Sequence, residues 1–167
     1  MALQSLGPVS FESVSNVTST NSVELGTRRT EAGIDYIYVY NAGSATIAQG
    51  YMGFIGAAIM SSVANYSVTV SNAASQSGGT KVVGVAHNAA IAASKYGWLA
   101  TRGVVYGVPD ATETSANSGV ELVPGVDGGF VAVAATLATG VPLALTLNSF
   151  ITTVGSGKIA FRSPLFG

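Results

Sequence analysis

The clearest pattern along the chain has period two. In "VELGTRRTEAGIDYIYVYNAG", Tyr36, Tyr38 and Tyr40 alternate with Ile37 and Val39. Glu31-Ala32-Gly33 precedes this run and Asn41-Ala42-Gly43 follows it, so the segment predicts a strand, a turn and a strand closed as a β-hairpin. "YSVTVSN" at 66–72 alternates again, with Val68 and Val70 set against Ser67, Thr69 and Ser71. Further strands are expected at 81–86, at 96–101 and, after a tight turn at Arg102-Gly103, at 104–108. "GVELVPGVDGGFVAVAAT" reads as two short strands joined through Pro124 and Asp127-Gly128-Gly129, a favoured hairpin turn. "VPLALTLNSFITTV" and "GKIAFRSPLFG" supply the last apolar strands. Two segments lack a clear period. Residues 46–64 fit either one long buried strand or a short helix, and the Ala-rich 86–95 connection has room for one helical turn.

Turn signals at strand-length intervals predict an all-β fold: a single-domain β-sandwich or barrel of short antiparallel strands, with at most one short helix. Residues 1–22 have no regular face. Val9, Phe11, Val14 and Val17 are scattered among Ser, Thr and Asn, which predicts an extended N-terminal arm ahead of a β-rich domain at 23–167. At 167 residues the chain is long enough to enclose one core.

Charge changes the picture most. Only 9% of the residues are charged, with seven Lys and Arg against eight Asp and Glu, where an average soluble domain has roughly a quarter. A surface rich in Ser, Thr, Asn, Ala and Gly is dehydrated at low cost when it meets another surface, so the composition points to an assembly component. A net charge of −1 gives no field to steer the chain onto phosphates, and nucleic acid is not an expected partner. Residues 36–80 and 128–157 carry no charge but are broken by Asn, Gln, Gly, Thr and Pro, so neither predicts a membrane helix. The N-terminus lacks the basic head and apolar run of a secretory signal. With no cysteine, thiolate metal sites are excluded, along with disulfides.

Candidate chemistry is sparse, and no catalytic residue, metal site or cofactor is expected. His87 is the single histidine, with no carboxylate spaced beside it for a triad or a zinc site. "GSGK" at 155–158 lacks a phosphate loop's distinguishing residues: Thr152 stands where the first glycine belongs and Ile159 where Ser or Thr would meet magnesium. The Tyr36, Tyr38, Tyr40 strip suits cross-strand packing or, if exposed, sugar stacking. Tyr96 and Trp98 share one face of a strand, and Trp98 reads either as core or as an interface anchor. The candidate interface residues are Val9, Phe11 and Val14 of the arm, Arg28 and Arg29, Trp98 and Arg102.

One stretch carries a family resemblance. "GVAHNAAIAASKYGWLATRG" resembles a signature of head decoration, or capsid cement, proteins of tailed bacteriophages, through Gly84-Val85-Ala86, Ile91, Tyr96-Gly97-Trp98-Leu99 and Gly103. "ELGTRRTEAGIDYIYVYNAGSATIAQGYM" is similar to the opening hairpin of the same proteins. The likeness spans about residues 24–107; Ala100 stands where a polar residue often follows, and 109–130 has no counterpart. It implies a non-enzymatic β-rich protein on the outer surface of the virion head, made in the host cytoplasm. Such a protein is often a homotrimer, and its partner is the major capsid protein. Two alternatives stand beside it: a receptor- or carbohydrate-binding module of a phage tail or fibre, and another minor virion protein.

Overall fold

The computed structural model describes residues 13–55, 67–69, 82–110, 115–125, 128–132, 144–147, 150–151 and 156–164. The described residues are all-β and contain no helix. Their strands are β1 (Arg28–Glu31), β2 (Ile34–Asn41), β3 (Met52–Ile55), β4 (Ser67–Thr69), β5 (Val82–Val85), β6 (Tyr96–Gly107), β7 (Ser115–Ala116), β8 (Glu121–Pro124), β9 (Phe130–Ala132), β10 (Ala144–Thr146), β11 (Phe150–Ile151) and β12 (Gly157–Arg162).

Ten of them form one sheet in the order β1-β2-β4-β3-β5-β6-β12-β10-β8-β9, and β7 pairs with β11 separately. All pairings are antiparallel except β2 with β4. The sheet as a whole is not closed into a barrel, since β1 and β9 stand at its ends. Within it β6 also pairs with β2, so β2, β4, β3, β5 and β6 are linked in a ring. The arrangement is compatible with a β-sandwich-like fold.

Two apolar clusters follow from this curvature. Ile37, Val39, Ile47, Val68, Val83, Ala86, Ile91 and Leu99 fill the side enclosed by the ring. Gly53 belongs there because a Cβ would meet Leu99 Cδ1 at 2.6 Å, so its missing side chain admits the leucine. The larger cluster lies on the other side, where Tyr36, Tyr38, Phe54 and Trp98 join Val105, Leu122, Phe130, Ile159 and Phe161.

The β1–β2 hairpin forms as its sequence predicts. Ala32 and Gly33 have φ of 51° and 78°, both left-handed, as the two-residue turn that matches strand twist demands. β8 and β9 also pair as expected, with Pro124 opposite Phe130, while Asp127 of the expected turn lies outside the described residues. Three details differ from expectation. No turn interrupts residues 96–107: β6 is one strand of twelve residues. Asp35 pairs with Arg102 while Tyr36 pairs with Ala100, leaving Thr101 as an extra residue in a bulge. Gly103, at φ 124°, has Gly33 O and Ile34 Cα 3.1 Å from where a Cβ would sit, so the glycine lets β6 bend against the hairpin. The Ala-rich connection is not helical either. Ile91 forms an isolated bridge with Ile47, and both are fully buried, so one apolar anchor fixes the loop. In the 46–64 segment a short strand, β3, is what forms, and residues 56–66 lie outside the described residues.

Residues 13–22, assigned to the arm, are bound to the domain. Val14 is 4% exposed. Thr18 exchanges backbone hydrogen bonds with Tyr96 at 3.0 Å in both directions, and the hydroxyls of Thr18 and Ser22 satisfy the buried Tyr38 hydroxyl at 3.1 and 3.2 Å. Deleting residues 1–22 is therefore expected to destabilise the domain by about 3 kcal/mol, from lost Val14 burial and exposure of the Tyr38 ring to water. Denaturant unfolding checks this; an unchanged midpoint would contradict it.

Candidate functional site

Beyond Gly103, the side of the sheet that the ring encloses is no longer covered. β6, β12 and β10 run side by side there, and alternation sorts their side chains. Val105, Gly107, Ile159, Phe161, Ala144 and Thr146 point into the core. Arg102, Val104, Tyr106, Lys158, Arg162 and Leu145 are exposed on the opposite face. Val104 is 51% exposed, Tyr106 44%, Leu145 40% and Leu147 44%. These are the exposed large hydrophobic residues among the described ones, and alternation puts all four on this one face. A concentration of that kind is the mark of a contact surface; scattered apolar residues are not.

The register arranges the face in rows. Arg102 lies beside Arg162, Val104 beside Ala160, and Tyr106 beside Lys158. The middle row continues through Leu145, which pairs with Ala160 on one side and Glu121 on the other. Directly paired residues stand about 5 Å apart, so the apolar groups form one patch. Leu147 extends it, its amide donating to Lys158 O at 2.9 Å.

Tyr106 is positioned from below by His87. The two rings stack 16° from parallel with centroids 5.8 Å apart, and His87 Nδ1 accepts the Tyr106 backbone N–H at 3.2 Å. Burial lowers the pKa of His87 from its ordinary value, since desolvation disfavours the imidazolium. Neutral His87 thus supports the fold above the unfolded-state pKa of about 6.5, and that support is lost as pH falls below it toward the lower folded value. The wild type is expected to lose thermal stability between pH 7 and 5 more steeply than His87→Gln. Parallel pH profiles of the two proteins would contradict this role.

A second feature adjoins the face at the β1–β2 hairpin. Asp35 lies opposite Arg102, and its Oδ1 accepts a hydrogen bond from Thr30 Oγ1 at 2.7 Å. Arg29 pairs with Glu31 at 2.8 Å. A cleft of about 290 Å³ is lined by Arg28, Arg29, Thr30, Asp35, Tyr36 and Thr101. Arg28, Arg29, Arg102 and Arg162 are all the arginines of the chain, so the hairpin and its neighbouring rows hold most of its scarce cations.

The candidate interface residues are spread over different environments. Val9 and Phe11 lie outside the described residues. Val14 and Trp98 are in the chain's own core, Trp98 at 5% exposure and 5.0 Å from the Tyr38 ring. Arg28 and Arg102 are exposed and Arg29 is half-buried. The tyrosine strip packs: Tyr36 and Tyr38 are buried, and Tyr40 lies against Tyr96 with centroids 4.8 Å apart. Among the described residues no group of three His, Asp or Glu is placed to hold a metal ion, and no helix is long and apolar enough to cross a membrane.

Sequence reasoning missed Val104, Tyr106, Leu145, Leu147 and Arg162. Their signal was present: Val104 and Val105 are consecutive apolar residues, as are Ala144 and Leu145, and a strand apolar in both phases announces cover on both sides. No family model matches the chain, and no curated protein matches its sequence.

Proposed function

We propose that this chain is a capsid decoration protein of a tailed bacteriophage, a homotrimer that sits on the outer surface of the head and strengthens contacts between major capsid subunits. The observation that carries the reading is the open face of β6, β12 and β10. The sheet there leaves Val104, Tyr106, Leu145 and Leu147 uncovered on a scaffold whose opposite face is fully packed. Cement acts through buried area and many weak contacts repeated over a lattice. A rigid sheet with one open apolar face suits that work, and the resemblance over residues 24–107 points the same way. The carbohydrate-binding alternative drew on the tyrosine strip, and burial of Tyr36 and Tyr38 removes that support.

The test is composition and strength of the particle. Purified virions should contain the chain in a copy number set by the capsomers, and heads assembled without it should release DNA at a lower temperature. Its absence from mature particles, or its confinement to the tail, would refute the proposal.

A further inference from the structure

The open face combines an apolar centre with a cationic border. Val104, Ala160 and Leu145 make the middle row. Arg102 and Arg162 stand together at one end, and Lys158 stands beside Tyr106 at the other. This is a local excess of positive charge in a chain whose net charge is −1. Among the described residues, the register places two carboxylates on the same side. Glu121 adjoins Leu145 at the edge, and Asp35, opposite Arg102, already accepts from Thr30.

We infer that this face docks onto a protein surface whose apolar patch is bordered by carboxylates. The inference rests on the decoration reading, under which that surface belongs to the major capsid protein. Charge complementarity selects this occupant. A second copy meeting the face about a two-fold axis through the middle row would lay each copy's Arg102 and Arg162 over the other's Lys158, setting cation against cation. Nucleic acid would satisfy the border but leave the apolar row against phosphates. Carboxylates answer the guanidinium forks with paired hydrogen bonds while the patch between them is dried.

The experiment is binding of the full chain to heads assembled without it, comparing wild type, Arg102→Glu/Arg162→Glu and Lys95→Glu, at low and high salt. Lys95 bonds Ser19 at 2.7 Å away from the face and serves as the charge-reversal control. Saturable wild-type binding is expected, with affinity falling at least about tenfold in the double variant, little change in the control, and a loss of affinity at high salt. Wild-type binding that the double variant matches would overturn the inference and leave the decoration reading standing. No wild-type binding would overturn both. Self-association of the free chain that Tyr106→Ser abolishes would make a second copy the occupant and overturn the inference, as would capture by phosphatidylglycerol vesicles that the double variant loses.

Discussion

Replacing Trp98 with alanine is expected to cost about 3–5 kcal/mol, the range for removing a large buried aromatic ring. The ring is 5% exposed and packs against Tyr38, itself fully buried beneath residues 13–22. The Tyr38 hydroxyl is held by Thr18 and Ser22, which keeps this neighbouring ring in place when the indole is removed. Trp98 Nε1 is buried with no hydrogen-bond partner, a group that costs stability when desolvated. Trp98→Phe, which removes that donor and keeps a ring, should therefore cost distinctly less than Trp98→Ala. Chemical denaturation of the three proteins decides it. An alanine variant as stable as wild type would show that the ring contributes little to the core.

Substitution on the open face should do the reverse, leaving the fold intact and removing the binding. Tyr106→Ser combined with Leu145→Ser takes two large groups from the centre of the patch. Both side chains are at least 40% exposed, so stability should change by no more than roughly 0.5 kcal/mol for each site. A central aromatic anchor of an interface is worth about 2 kcal/mol or more, and the lost Leu145 burial adds about 1 kcal/mol, so affinity for heads should fall about 100-fold or further. Equal occupancy by the double variant, measured on heads assembled without the chain, would place the contact surface elsewhere.

The sequence carried the strands better than it carried their curvature. Tyr36 to Tyr40 announced a two-faced strand because one phase is aromatic and the other aliphatic, and Gly33 announced its turn because glycine accepts a left-handed position freely, whereas Ala32 beside it carries no such signal. The bulge at Thr101 was less accessible. A glycine after Arg102 can end a strand or bend it, and the choice was made by Gly33 and Ile34, which are distant in sequence and close in space. Residues 13–22 were hidden for a similar reason: Val14, Val17 and Thr18 have no period of their own, and their place is fixed by Tyr96 and Tyr38. For the site, Arg102 was visible as a lone cation beside a glycine. Val104, Tyr106, Leu145 and Leu147 were not distinguished from core residues, because apolar residues in both phases of a strand do not say which face the rest of the chain covers. That is decided by the ring, which encloses Leu99 and leaves Val104 open on the same side of β6.

The central claim is that the open face of β6, β12 and β10 is where this protein holds its partner. Radical footprinting of the chain free in solution and bound to heads tests it at residue resolution. Tyr106, Leu145 and Val104 should lose most of their labelling on binding, while Tyr40, on the aromatic side of β2, should keep its own. Full labelling of Tyr106 and Leu145 on a chain shown to be bound would contradict the claim.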